Sequence, residues 1–281
     1  MEQILTKAKI NLTLDVVAKR EDGYHDLKMI MHSVNLYDKI KIRNSNCGKI
    51  ILKTNSPYVP CDERNIIMKA IRKFEAETLI KVDGMDIYVE KHIPVCAGLA
   101  GGSTNAAGML KYLNEKYNNP LSWERLIEVG KELGADVPYC MTGGTCLAEG
   151  IGEKLTPVDS LPECFIVIAR PNNRGISTAK VFKMIDINEI SYHPDTDGML
   201  EALKQKNIYD VSKRLFNVLE SYAITLDDEI EIFKDRFLKN GAMGAIMSGS
   251  GNSCFGIFDD ADKAEKCRRD MKKLTNQVYV V

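Results

Sequence analysis

The sequence predicts an α+β fold, and three observations carry that prediction. Residues 4–17 alternate with a period of two, as a strand with one buried face does. Helical stripes follow further along, with apolar residues spaced by three and four. The two kinds of segment never settle into the regular strand–helix–strand rhythm of a doubly wound parallel sheet. At 281 residues the chain suffices for one large domain or two ordinary ones, and 44% hydrophobic residues provide a normal core.

In the first strand Ala8, Ile10, Leu12, Leu14 and Val16 share one face, while Lys7, Lys9, Asn11, Thr13 and Asp15 share the other. Read alone, that polar face turns to water. Shorter strand-like runs follow at Lys39–Arg43, Lys49–Thr54 and Met85–Lys91. Between them Asp62 and Glu63 are expected to open a helix with the stripe Ile67, Ile71, Phe74 and Thr78, acids at its start as the macrodipole favours. A glycine-rich loop, Gly98 to Thr104, runs into a helical stripe at Ala106, Leu110, Leu113 and Tyr117. Ser122 is the expected cap of a further helix that stops near Gly134, with Pro138 marking the stop.

Pro157 and Pro162 bracket the expected domain junction, giving domains 1–158 and 159–281. The second half opens with an apolar strand, Cys164–Ala169, and a helix capped by Ser177. Three or four helical patterns lie between Asp195 and Asn240. A second glycine-rich segment, Gly241–Gly256, leads into a strand at Cys254–Phe258, and a helix and the strand Gln277–Val281 close the chain.

The bulk numbers exclude several classes of function. A net charge of -1 leaves no basic footprint for nucleic acid or an anionic membrane. No apolar run approaches the ~20 residues of a membrane span. Glu2 and Gln3 follow Met1 and no signal peptide is predicted, so a cytoplasmic location is expected. The eight cysteines include no CxxC pair and read as buried, reduced thiols. Four scattered histidines lack metal-ligand spacing, and no metal ligand is predicted from protein side chains.

Five features stand out chemically. Glycines in the 98–104 loop permit close backbone approach, and the helix after it presents unpaired N–H groups, an arrangement suited to a di- or triphosphate. It satisfies neither the Walker pattern nor GxGxxG, and its plain alternative is a tight packed loop. Asp136, in Gly134-Ala135-Asp136-Val137-Pro138, is a carboxylate just past a helix end; alone it reads as an ordinary surface or capping acid. Lys9 and Asn11 are neighbours on one strand face. The small-residue turn Ser248-Gly249-Ser250-Gly251 precedes a strand, and Tyr24 with His25 follows Asp22-Gly23 at a turn. Each of these is weak by itself.

In this order and spacing they resemble the GHMP kinase family over nearly the whole chain. Ala8-Lys9-Ile10-Asn11-Leu12 and Asp22-Gly23-Tyr24-His25 are the tracts that resemble one branch of it. The resemblance implies an N-terminal domain similar to domain two of ribosomal protein S5 and a C-terminal α+β domain. It implies ATP and Mg²⁺ as cofactors, a small-molecule cytidyl substrate, and transfer of the γ-phosphoryl to a tertiary hydroxyl. Lys9 and Asp136 would then be catalytic, with Asp136 taking or orienting the hydroxyl proton and Lys9 stabilising charge. Asn65, Ile67, Lys91, Val95, Cys96, Ala97, Gly98, Leu99, Ala100, Gly101, Gly102, Ser103, Thr104 and Asn105 would bind ATP. Asn11, Tyr24, His25, Phe182, Ser248, Gly249, Ser250 and Gly251 would bind the substrate, with Tyr24 and Phe182 on the two faces of the cytosine.

Cys96 and Ala100 depart from the family's commoner glycines, and either would be strained at a positive φ. Rival readings are a different GHMP enzyme, such as homoserine or mevalonate kinase, and a silent binding module. The retention of Lys9 and Asp136 argues against silence. The sequence leaves monomer and homodimer open.

Overall fold

The long opening strand β1 (Glu2–Lys19) is followed by an equally long β2 (His25–Asn44) and a short β3 (Ile50–Thr54) in a computed structural model that describes residues 1–172 and 175–281. Helix α1 (Ile66–Thr78) starts later than Asp62 and Glu63 suggest. The reason is local: the Asn65 side chain accepts from the Ile67 N–H at 2.8 Å and caps the helix, while Asp62 accepts from the Asn65 N–H in the preceding turn. Next come β4 (Met85–Glu90), α2 (Gly101–Lys116) and α3 (Trp123–Leu133), the last capped by Ser122 as expected. Pro138 does not end a helix. It sits in the first turn of α4 (Val137–Thr142), where its missing N–H costs no hydrogen bond.

The chain continues through β5 (Thr145–Gly150), β6 (Lys154–Pro157), β7 (Phe165–Arg170) and α5 (Thr178–Met184), whose cap is Ser177. A short 3₁₀ turn then leads to α6 (Thr196–Lys204), α7 (Ile208–Lys213), β8 (Phe216–Asn217), α8 (Leu219–Ile224) and α9 (Glu229–Lys239). β9 (Gly244–Met247), β10 (Cys254–Phe258), α10 (Ala261–Met271) and β11 (Gln277–Val280) complete it.

These elements form two compact units that interleave along the chain. The first comprises Met1–Ala8, Asn35–Val95 and Ala100–Thr142; the second comprises Lys9–Val34, Cys96–Leu99 and Gly143–Val281. In the first unit β4 lies between β2, antiparallel in register Lys39 with Glu90, and β3, parallel in register Ile50 with Met85. The α1, α2 and α3 stripes bury Phe74, Leu110, Leu113 and Val129 with Ile40, Ile42, Ile87 and Val89 of the strands. This gives the unit its core.

In the second unit β5 pairs with the start of β2, and β8 adds to β1 in parallel at Thr13 and Leu14. A separate four-stranded antiparallel sheet runs β11-β7-β10-β9. Phe233 and Phe237 of α9 are buried, and a Cβ on Gly256 of β10 would lie 3.1 Å from the Phe237 ring. That glycine lets helix and sheet close on each other.

Two expectations need correction. On the polar face of β1 Lys7 meets water but the rest does not: Lys9 is 4% exposed, Asn11 and Thr13 are fully buried, and Asp15 is buried as well. Nor are the cysteines uniformly buried. Cys47, Cys61 and Cys96 are exposed, and all three lie outside the helices and strands, where no apolar stripe draws a thiol inward. All eight are free. No helix among the described residues is long and apolar enough to cross a membrane.

Candidate active site

In the first unit the chain enters α2 through Ala100, whose φ of 56° is left-handed. Among the described residues no side chain caps this helix and no acid sits in its first turn, so the leading N–H groups and their partial positive charge are left open. Gly102 is exposed and Ser103 half-buried, so this end can be reached by a ligand. The end is held from below. The Lys91 Nζ donates to the Gly101 carbonyl at 3.3 Å and to Asn105 Oδ1 at 3.1 Å, and pairs with Asp38. Asp38 in turn accepts from the His92 and Ile93 N–H groups at 2.8 and 2.9 Å and from Asn105 Nδ2 at 3.0 Å. Burial lowers the Lys91 ammonium from its ordinary range, against the opposing pull of Asp38.

Asp136 is half-buried at the start of α4, where its carbonyl accepts from the Cys140 N–H at 3.0 Å. The Ser103 hydroxyl lies 3.9 Å from where a Cβ on Gly134 would stand, so the first turn of α2 and the Gly134–Pro138 tract are neighbours. In this unit Asn65 caps α1 and donates to the Pro60 carbonyl at 2.7 Å, and the Ile67 side chain belongs to the core.

The second unit gathers three separate stretches of sequence. The Lys9 backbone N–H donates to the Leu99 carbonyl at 3.2 Å, and its Nζ donates to Asn11 Oδ1 at 2.6 Å. Ser248 Oγ donates to the Gly98 carbonyl at 3.1 Å, and the Ser253 N–H to the Ala97 carbonyl at 3.4 Å. A Cβ on Gly249 would stand 3.2 Å from Lys9 Nζ and 3.0 Å from the Gly98 carbonyl oxygen. Lys9, Asn11, the start of the glycine loop and the Ser248–Gly251 turn therefore occupy one place. Asn217 fixes the turn from behind. Its Nδ2 donates to the Met247 and Gly249 carbonyls at 2.9 and 2.8 Å, and its Oδ1 accepts from the Leu219 N–H at 3.0 Å.

Among the described residues of its unit, Lys9 has no carboxylate at ion-pair distance. A buried ammonium satisfied by one neutral amide is costly, and such groups concentrate where an anionic ligand completes them.

The same unit brings His25 and Phe182 together, ring centroids 5.5 Å apart at 31°. Tyr24 stays 61% exposed. The His25 Nε2 is buried with no hydrogen-bond partner among the described residues, and burial, with a smaller push from Lys19, lowers its basicity. Ser250 Oγ and Thr178 Oγ1 are 2.7 Å apart, which ties the turn to α5. Val95, Ala97 and Leu99 supply backbone to the loop around Cys96, whose φ is 54°. Sequence reasoning missed Asp38 and Asn217. Neither sits in a motif, and only their burial distinguishes them.

Comparison with known proteins accords with this geometry. The description "GHMP kinases N terminal domain" matches residues 65–144 and "GHMP kinases C terminal" matches 199–277. The chain belongs to the GHMP kinase family. A 4-diphosphocytidyl-2-C-methyl-D-erythritol kinase of Clostridium kluyveri is 45% identical over 97% of this chain and 96% of its own. The protein of that name from Clostridium beijerinckii is 45% identical over 99% and 98%. The crystal structure of a 4-(cytidine 5'-diphospho)-2C-methyl-D-erythritol kinase superposes with a TM-score of 0.83 at 29% identity, covering 99% of this chain and 98% of that one. Homoserine kinase from Cytophaga hutchinsonii, at 18% identity and a TM-score of 0.73 over 100% of this chain and 94% of that one, shares the fold.

Proposed function

We propose that this GHMP kinase transfers the γ-phosphoryl of ATP to the 2-hydroxyl of 4-diphosphocytidyl-2-C-methyl-D-erythritol, a step of non-mevalonate isoprenoid synthesis. The observation that carries the reading is identity of 45% to relatives of that name along 97% of the chain. The buried Lys9 beside Gly98 and Gly249, with no carboxylate partner among the described residues of its unit, supports it chemically. Phosphoryl transfer needs placed charge more than covalent help, and a fixed ammonium is such a charge.

In this reading the open N–H groups of Gly101, Gly102 and Ser103 receive the ATP phosphates. Asp136 orients or accepts the hydroxyl proton, and Lys9 stabilises the charge that develops. A tertiary alcohol is crowded and weakly acidic, so both helps matter. The oxygen donors of Ser103 and Asp136 suit Mg²⁺, a hard cation that prefers few protein ligands and several phosphate or water oxygens. When bound, Mg²⁺ would neutralise charge on the phosphates. Among the described residues no cluster of three His, Cys, Asp or Glu is available to hold it.

For the acceptor, the His25 and Phe182 rings and the open Nε2 of His25 suit a flat ring with a polar edge, and Tyr24 has the freedom to cover it. Domains 1–158 and 159–281, a cytoplasmic setting and a monomer or homodimer belong to the same reading. The test is a coupled kinase assay of the purified chain with ATP and magnesium. The cytidyl alcohol should be phosphorylated at least a hundredfold faster, by kcat/KM, than homoserine or mevalonate. Faster turnover of either rival would leave only the family.

A further inference from the structure

The last turns of α9 and α10, in the second unit, border a cavity of about 380 Å³ lined by Arg236, Lys239, Asn240, Lys266, Arg269, Asp270 and Lys273. Five cations stand there against one carboxylate, a formal +4 in a chain whose net charge is -1. The carboxylate is already committed. Asp270 Oδ1 accepts from Arg236 Nη2 at 2.9 Å and from Lys273 Nζ at 3.0 Å. Its Oδ2 accepts from Asn240 Nδ2 at 2.9 Å and also meets Arg236 Nε. Asp270 is thus a hub that fixes Arg236 and Lys273 at the cavity wall. Lys239, Lys266 and Arg269 have neither ion-pair nor hydrogen-bond partners among the described residues.

Complementing helix dipoles does not account for the cluster. Lys239 and Arg269 do lie in last turns, where cations are favoured. Lys266 lies in the middle of α10 and Lys273 beyond its end. Spacings of three and four align Lys266, Arg269 and Lys273 on one side of α10, and Arg236 and Lys239 align likewise on α9. Two basic stripes therefore share one cavity, and their mutual repulsion is relieved when an anion enters.

The shape and lining limit what that anion is. The volume falls in the small-molecule range of about 300–1,000 Å³. Among the described residues no aromatic side chain lines the cavity, so none there stacks a nucleobase. Two guanidinium groups suit forked binding of phosphate oxygens, and lysines add point charges. A charge of +4 balances two linked phosphates better than one.

We propose that this cavity is a binding site for a diphosphate group, built from side chains other than those assigned to phosphoryl transfer. The test is calorimetric titration of the full chain, saturated with a non-hydrolysable ATP analogue so that the glycine loop is occupied. Inorganic diphosphate and a short-chain alkyl diphosphate are titrated separately, with inorganic phosphate for comparison. One equivalent of diphosphate should bind at least tenfold more tightly than phosphate, and K266E/R269E should weaken it at least tenfold. Binding of both diphosphates identifies the end group of an ester as an acceptable ligand; binding of the inorganic anion alone identifies the free ion. Kinase turnover of K266E/R269E at the wild-type level shows that it is folded, and if it is not, Lys239→Gln serves with the same readout. Absence of saturable binding, or equal affinity in the variants, overturns the proposal.

Discussion

Gly98 and Ser248 are locked together: the Ser248 hydroxyl donates to the Gly98 carbonyl at 3.1 Å, and a Cβ on Gly98 would strike the Ser248 carbonyl oxygen. Gly98 also has a φ of 72°, which an L side chain rarely adopts. Gly98→Ala therefore meets both strain and backbone that cannot rotate away. We expect a loss of about 1–3 kcal/mol in stability and a larger fractional loss of kcat/KM for ATP. Urea unfolding and steady-state kinetics measure the two; wild-type values in both would show that the contact is dispensable.

Asp136→Asn should lower kcat by about 10²–10⁴-fold, the usual worth of a positioned acid–base group, with little change in the melting temperature. Asp136 is half-buried and its backbone, not its carboxylate, makes the α4 hydrogen bond, so folding has little reason to depend on the charge. Near wild-type kcat would remove Asp136 from the mechanism.

How far the sequence foretold this site depends on the range of the forces involved. The period of two in β1 and the caps at Ser122 and Ser177 are local, and each was legible. Burial of Lys9 and Asn11 was not, because the residues that surround them include Gly98 and Gly249, remote in sequence. Asn65 outcompeted Asp62 and Glu63 as a cap through one side-chain hydrogen bond that composition does not reveal. In the sequence Asp38 is one acid among many, and only the fold gathers Lys91, Asn105 and two backbone N–H groups around it.

Asn217 holds the Gly249 turn against Lys9 without entering the motif itself. Asn217→Ala would strand two buried carbonyls and the Leu219 N–H, at about 1–3 kcal/mol each before relaxation. Asn217→Asp keeps the acceptor for Leu219 but loses both donors. Both variants should be destabilised in urea unfolding, and both should lose kcat more than they gain KM for ATP. A variant that is destabilised yet retains full kcat when folded would confine Asn217 to a structural part.

His25 should make stability fall in mild acid. Its burial lowers its pKa from the ordinary 6.5, so the unfolded chain takes up the proton before the folded protein does. The unfolded state then binds more protons, and stability rises with pH across that interval. The stabilisation is complete above about 6.5 and is lost as pH falls toward the folded value. Urea midpoints measured from pH 8 to pH 5 should decline in the wild type and decline less in His25→Gln. Parallel curves for the two proteins would assign the acid sensitivity elsewhere.

Ala100 carries strain at the entrance to α2. Its φ of 56° is left-handed, and the methyl group costs about 1–2 kcal/mol there. Glycine removes that cost but gains more freedom in the unfolded chain, worth roughly 0.5–1 kcal/mol in the opposite direction. The balance favours Ala100→Gly by up to about 1.5 kcal/mol, and Cys96→Gly, at a φ of 54°, follows the same logic. Melting temperatures should rise by about 1–4 °C for each substitution. Both strained residues precede the glycines whose backbone is proposed to meet phosphate, where left-handed geometry at Ala100 leads the chain into the open first turn of α2. If the conformation itself is what the nucleotide requires, glycine preserves it and KM for ATP stays within about twofold, since the N–H groups of Gly101 and Gly102 keep their places. A fall in melting temperature would mean that the methyl and thiol-bearing side chains pack favourably enough to outweigh the strain, and the loop would owe its shape to them instead of enduring them.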